Sequence, residues 1–220
     1  MQFGPISFLC EFVAYHLADW LTIATPSPAI AIVTPEFVDT LPGSNPAKAA
    51  FAKSLGPNFA TSFLTPGYST WPTNGPIPHD LFQTCVEMFA FDVLLQNPDR
   101  RRDNPNMLWN GEEIYLYDHE MAFSFIFDAK AKTTPIDTLN AAALNFFTTH
   151  VFFLELRKKK IDLSRMEGAL ASIKDDAIAD VEKHLPGDWK SQHLGPILTY
   201  IKALRDNPAK LTRVVQEILS

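Results

Sequence analysis

Asp99, Asn104 and Asp118 have the types and the spacing of a phosphoryl-transfer centre. Asp99 lies in the stretch Asn97-Pro98-Asp99-Arg100-Arg101-Arg102-Asp103-Asn104, and Asp118 follows fourteen positions after Asn104. A carboxylate in the first place can orient an attacking hydroxyl and accept its proton. The Asn and the later Asp offer hard oxygen ligands to Mg²⁺ ions that also bind phosphate oxygens. An Asp beside Pro is also common turn chemistry, so the elements around the loop have to decide between the two readings.

Those elements favour chemistry. Leu81, Phe82, Cys85, Val86, Met88, Phe89, Val93 and Leu94 predict a helix buried on most of its circumference, with Asp80 as its N-cap and Pro98 ending it. The chain thus passes straight from a core helix into the Asp99 loop, where fixed geometry is available. Next, Met107-Leu108-Trp109 and Ile114-Tyr115-Leu116-Tyr117 flank Asn110-Gly111, a two-residue hairpin signal. The hairpin folds Asp118 back beside Asn104. Asn97, Arg100 and His119 are candidates either for contact with substrate or phosphate or for supporting the ligands from behind, and Arg101 and Arg102 read as a solvated face. Glu11 is a candidate partner for a strand lysine; a Glu in the first helical turn also complements the helix dipole unaided.

Upstream, Ser7 could cap a helix reaching about Leu21, and Ala29 to Val33 is β-branched and short, as a buried strand would be. Ala47 to Leu55 predicts a short helix and Thr61 to Leu64 another strand. The Pro- and Gly-rich stretch from Thr65 to Pro78 suits a hinge, dividing the chain into 1–67, a linker at 68–79, and 80–220. Downstream, Phe123, Phe125 and Phe127 alternate as in an extended segment. Asp137 to Leu156, Leu163 to His184 and Pro196 to Leu219 read as helices.

Composition narrows the function without choosing it. The 220 residues are 46% hydrophobic, enough for one large domain or two lobes, and the formal net charge of −6 argues against a nucleic-acid partner. Cys10 and Cys85 lie in apolar stretches and suit buried free thiols in a reducing cytoplasm. Glu11, His16 and Asp19 interrupt the apolar run from Phe8 to Ile23, so no signal peptide or membrane span is expected. The scattered histidines lack zinc spacing, and no Gly-x-Ser-x-Gly, Walker or dinucleotide motif is present.

Three strings carry a resemblance: Phe91-Asp92-Val93-Leu94-Leu95-Gln96-Asn97-Pro98-Asp99-Arg100, Asn104-Pro105-Asn106-Met107-Leu108-Trp109, and Tyr117-Asp118-His119-Glu120-Met121-Ala122-Phe123. Together they resemble the catalytic core of HipA-like kinases, a family similar to type II phosphatidylinositol 4-kinases and more distantly to protein kinases. The likeness covers nearly the whole chain. It implies a two-lobed α+β protein-kinase-like fold with a truncated N-lobe and a mostly helical C-lobe. It also implies ATP and Mg²⁺ as cofactors, a protein Ser/Thr hydroxyl as acceptor, Asp99 as the catalytic residue, and Asn104 and Asp118 as metal ligands. His119-Glu120 stands where protein kinases have Phe-Gly, and Asn97-Pro98 where they have His-Arg. Ten residues precede Glu11 and none is lysine, while Lys48 and Lys53 come after the first helix. The phosphate-covering loop and strand lysine are therefore expected from a preceding segment or a partner chain, with weak or no activity in isolation. The alternative is a non-catalytic pseudokinase or split-kinase module.

Overall fold

The computed structural model describes residues 4–72, 75–127 and 134–220, and they form a mixed α+β fold. Helix α1, Pro5–Trp20, starts from Gly4 with Pro5 in its first turn, where proline's fixed φ and missing N–H are tolerated. Ser7 therefore lies inside the helix and does not cap it. Glu11 falls beyond the first turn, which holds no acidic residue, so it does not serve the helix dipole as expected.

Strand β1, Pro28–Val33, pairs antiparallel with β2, Gly56–Thr61, in a register running from Pro28 opposite Thr61 to Val33 opposite Gly56. Two short helices intervene: α2, Pro35–Thr40, whose N-cap Thr34 accepts the Phe37 N–H at 3.2 Å, and α3, Lys48–Ala52. The second strand thus lies earlier than the expected Thr61 to Leu64, because the chain turns at Gly56 (φ 99°) and pairs from there. The expectation of a buried strand at Ala29 to Val33 also fails. With β2 as its one strand neighbour among the described residues, β1 leaves Ile30 43% and Ile32 62% exposed, and only Val33 is buried.

A second sheet has the order β3-β4-β5, with β3 at Ser69–Thr70, β4 at Met107–Trp109 and β5 at Ile114–Leu116. The predicted hairpin is therefore joined by a strand from within the expected hinge, and Trp71 packs edge-on against Trp109 with ring centroids 5.0 Å apart. Residues 73 and 74 of that hinge lie outside the described residues. A 3₁₀ turn at His79–Leu81 leads into α4, Phe82–Leu95, so Asp80 sits within the turn and does not cap the helix. From Cys85 to Leu95 nearly every α4 residue is buried. Full burial of a Leu, Val or Phe side chain is worth about 1.5–3 kcal/mol, which makes α4 the rigid axis of the molecule.

The helix expected from Asp137 to Leu156 is broken into 3₁₀ turns at Pro135–Thr138 and Asn145–Thr149 and the short α5, Phe153–Leu156. Local polar side chains cause the breaks: Thr138, Asn140, Thr148 and Thr149 each donate to a carbonyl three residues back, competing with helical pairing. The Phe123 to Phe127 segment is likewise a 3₁₀ turn, Ser124–Phe127, entered from Phe123 at φ 58°, and it is not extended. Four helices complete the chain: α6, Ser164–Ser172; α7, Asp175–His184; α8, Leu194–Asp206; and α9, Ala209–Leu219. Between α7 and α8, Trp189 packs against Phe8 and Phe12 of α1 and Phe59 of β2, and its Nε1 donates to the Pro57 carbonyl at 3.1 Å. Cys10 and Cys85 are buried free thiols, and burial raises both to about 12. No helix among the described residues is long and apolar enough to cross a membrane.

Candidate active site

Helix α4 ends in a tight left-handed turn at Gln96 (φ 51°), and Pro98 prevents its continuation. Asn97 is buried, and its Oδ1 accepts the Asp99 N–H at 3.1 Å, which holds the loop in an Asx turn. Two amides then grip the Asp99 carboxylate. Asn104 Nδ2 donates to Oδ2 at 2.8 Å and Asn106 Nδ2 at 3.3 Å. The loop is closed by the Arg101 N–H, which is 3.0 Å from both the Asp99 and Asn104 carbonyls. Asn104 thus spends its amide nitrogen on Asp99, leaving its amide oxygen available as an acceptor.

The hairpin carries Asp118 at φ 59°, a left-handed conformation that Asp tolerates better than most residues. Burial raises the Asp118 carboxyl above its ordinary range and the Asp99 charge raises it further, so the two carboxylates share one electrostatic environment. That repulsion is what a divalent cation would relieve. Among the described residues no group of three His, Cys, Asp or Glu could hold a metal unaided. The oxygens of Asn104 and Asp118 are of the hard type that Mg²⁺ takes, an ion that binds through one or two protein oxygens and completes its shell with water and phosphate.

Arg100 stands behind the loop. It is 1% exposed, and its Nε meets Asp92 Oδ2 at 2.5 Å. Its Nη1 donates to the Asn106 carbonyl at 2.5 Å and to those of Pro105 and Tyr117 at 3.3 Å, while Nη2 lies 3.3 Å from His119 Nδ1. One guanidinium therefore joins α4, the loop that carries Asp99 and the residue preceding Asp118. Of the two places open to Arg100, its burial and these contacts suit the supporting one. Burial pushes the Asp92 carboxyl up, but Arg100 and His150 override it and hold it near 2.

His119 is fully buried. Burial, reinforced by Arg100, lowers it to about 3, so the ring is neutral, and an Nδ1 facing Arg100 must be an acceptor. Its Nε2, together with Tyr15 Oη, Glu11 Oε2 and Glu120 Oε2, is buried without a hydrogen-bond partner among the described residues. Tyr15 and His119 pack edge-on at 5.3 Å, joining α1 to the segment that carries Asp118. Glu11 reaches the same place. Burial raises it to about 8, with Asp118 and Glu120 adding to the rise and the His119 backbone N–H opposing it.

Asp92, Asn106, His150 and Tyr15 are missing from the sequence-derived set. Asp92 did carry a signal, since a carboxylate inside a helix buried all round must find a partner. His150 offered none. Its Nδ1 accepts the Phe152 N–H at 3.1 Å, which places the proton on Nε2, 3.2 Å from Asp92. A family model described as HipA-like kinase matches residues 1–217. No curated protein matches the chain.

Proposed function

The chain belongs to the HipA-like kinase family, and from that premise we propose that it transfers the γ-phosphoryl group of ATP to a hydroxyl, with a protein Ser or Thr as acceptor. The observation that carries this reading is the Asp99 carboxylate held by Asn104 and Asn106 beside a charge-coupled Asp118. Asp99 would orient the acceptor hydroxyl and take its proton. Asn104 and Asp118 would hold Mg²⁺, which supplies charge neutralisation at the phosphate oxygens when bound. Asn97 and Arg100 fix the loop so that these groups need not reorganise.

Glu11 indicates what accompanies this half-site. Among the described residues its buried carboxylate has no cation in ion-pair contact and the β1–β2 sheet beside α1 has no third strand. A strand bearing a lysine, supplied from a further segment or a partner chain, would meet both needs. In its absence the chain would act as a non-catalytic interaction module, and the unpaired Glu11 is the observation that favours this second reading.

Both readings are tested by thermal melts with ATP and Mg²⁺. A ligand at a hundred times its Kd stabilises the folded state by about 2.7 kcal/mol, and the metal-dependent part should vanish in Asp118→Asn. Stabilisation that persists undiminished in that variant rules out the metal site. Asp99→Ala should abolish phosphoryl transfer while leaving nucleotide stabilisation in place; full transfer by this variant would remove Asp99 from its role.

A further inference from the structure

A chain of net charge −6 carries four consecutive cations, Arg157, Lys158, Lys159 and Lys160, and all four are exposed. A run of this kind is ordinarily a solvated face. Its backbone, its charge and the surface beside it set this one apart. The Arg157 N–H donates to the Phe153 carbonyl at 2.9 Å, the Lys158 N–H to the Leu219 carbonyl at 2.7 Å, and the Lys159 N–H to the Leu156 carbonyl at 3.1 Å. The run is therefore held against the helical tail. Lys158 sits at φ 59°, a left-handed conformation that favours glycine, so the fold presents a cation where a residue without a side chain would be easier.

None of the four is in ion-pair contact with a described carboxylate, and the nearest acidic residues are spent on other partners. Asp162 accepts the Ser164 N–H at 2.9 Å, and Arg165 grips Glu87 at 2.8 and 2.5 Å. The positive charge is left facing water. Beside it opens a groove of about 500 Å³ lined by Ile77, His79, Phe82, Gln83, Glu155 and Lys159. Ile77 and Phe82 are only partly buried, and Leu154, next to Glu155 in the chain, is 48% exposed. Lys159 thus belongs to both the basic run and the groove wall.

We propose that the groove and the basic run together dock an acidic segment of a partner protein, with an apolar side chain seated against Ile77 and Phe82 and carboxylates facing the lysines. Exposed ion pairs are weak one at a time, so several must act together and apolar contact must add to them. A nucleic-acid backbone would bring charge but no apolar side chain for this wall, and Glu155 would repel it. A bilayer would meet a concave surface. The groove lies at the first turn of α4 and Asp99 beyond its last, so this 14-residue helix puts about 20 Å between them. Docking is therefore separate from the reacting atoms and needs neither ATP nor Mg²⁺. The chain segment that builds it begins at His150, which forms a β-bridge with Arg101, so a partner held there is held on the segment that also braces the Asp99 loop.

The test is fluorescence anisotropy on the full chain without nucleotide, using a labelled peptide of glutamates interrupted by leucines. The triple variant Lys158→Gln, Lys159→Gln, Lys160→Gln should bind it roughly tenfold more weakly than wild type, the sum of a few exposed ion pairs. Its melting temperature should not change, because the three side chains are exposed and unpaired. A second triple variant, Lys174→Gln, Lys183→Gln, Lys190→Gln, removes the same charge from exposed positions elsewhere and should bind as wild type does. Exchanging the peptide's leucines for serine should weaken binding, and exchanging its glutamates for glutamine should abolish it. Equal weakening in the second variant overturns the proposal, as does indifference to the leucines or a wild-type chain that does not bind. Oligothymidylate or phosphatidylserine vesicles held as tightly as the peptide, with the same loss in the first variant, would assign the run to nucleic acid or membrane and overturn it as well. Since no nucleotide is present, failure of this docking leaves the phosphoryl-transfer reading standing, and failure of that reading leaves the docking intact.

Discussion

The strongest single residue in the site is one that never faces a substrate. Arg100 joins Asp92, the Asn106 and Tyr117 carbonyls and His119, so removing its charge strands a buried carboxylate. Arg100→Met should cost about 3–5 kcal/mol in urea unfolding, the range for breaking one side of a buried pair, and adding Asp92→Asn should restore part of it. Glu11 makes a prediction of a different kind. Its folded value of about 8 lies above its ordinary 4.5, so the folded chain binds a proton that the unfolded chain has released. The sign follows: this residue's stability contribution is full below about pH 4.5 and is lost as pH rises toward 8. Glu11→Gln should therefore be more stable than wild type at pH 8, by on the order of 1–3 kcal/mol, and the difference should fade by pH 4.5. The neutral buried His119 acts in the reverse direction below pH 6.5, which is why the difference between the two proteins, and not either curve alone, is the quantity to measure. A gap that does not change with pH would show that Glu11 is ordinarily ionised.

At the scale of elements, what the sequence made legible was set by how local the cause is. The α4 helix, the Pro98 stop and a hairpin at Asn110-Gly111 follow from turn chemistry and periodicity within a few residues, and all three stand in the structure, although the hairpin loop runs from Asn110 to Glu113 and the return strand begins only at Ile114. The loop from Asn97 to Asn104 and the Asp118 hairpin could be read for the same reason. The Asp137 to Leu156 helix does not form because its Thr and Asn side chains pair with the backbone and override the apolar spacing. Burial of β1 failed because it depends on neighbours, which a strand's own residues do not specify. His150 was invisible because its partner is 58 residues away. The β1 edge carries a consequence: Pro28 to Val33 contains no charged residue to discourage pairing with another strand. Ile32→Lys should reduce concentration-dependent association seen by sedimentation, with a stability change within about 0.5 kcal/mol. A wild-type chain that stays monomeric at every concentration would refute this.

At the scale of the whole molecule, the segment between α7 and α8 holds the amino-terminal part in place. Trp189 is buried against Phe8, Phe12 and Phe59 and donates to Pro57, so α1, β2 and the helical tail share one aromatic nest. Trp189→Ala should cost about 3–5 kcal/mol in a calorimetric melt, and the loss should be cooperative because the nest joins segments far apart in the chain. Tyr15 and Glu11 ride on the same helix that Trp189 braces. Under the proposed function, a genetic screen for lost phosphorylation would therefore return Trp189 alongside Asp99. The two would differ in protein abundance: the Asp99 variant would accumulate normally, whereas the Trp189 variant would be depleted by cellular proteolysis.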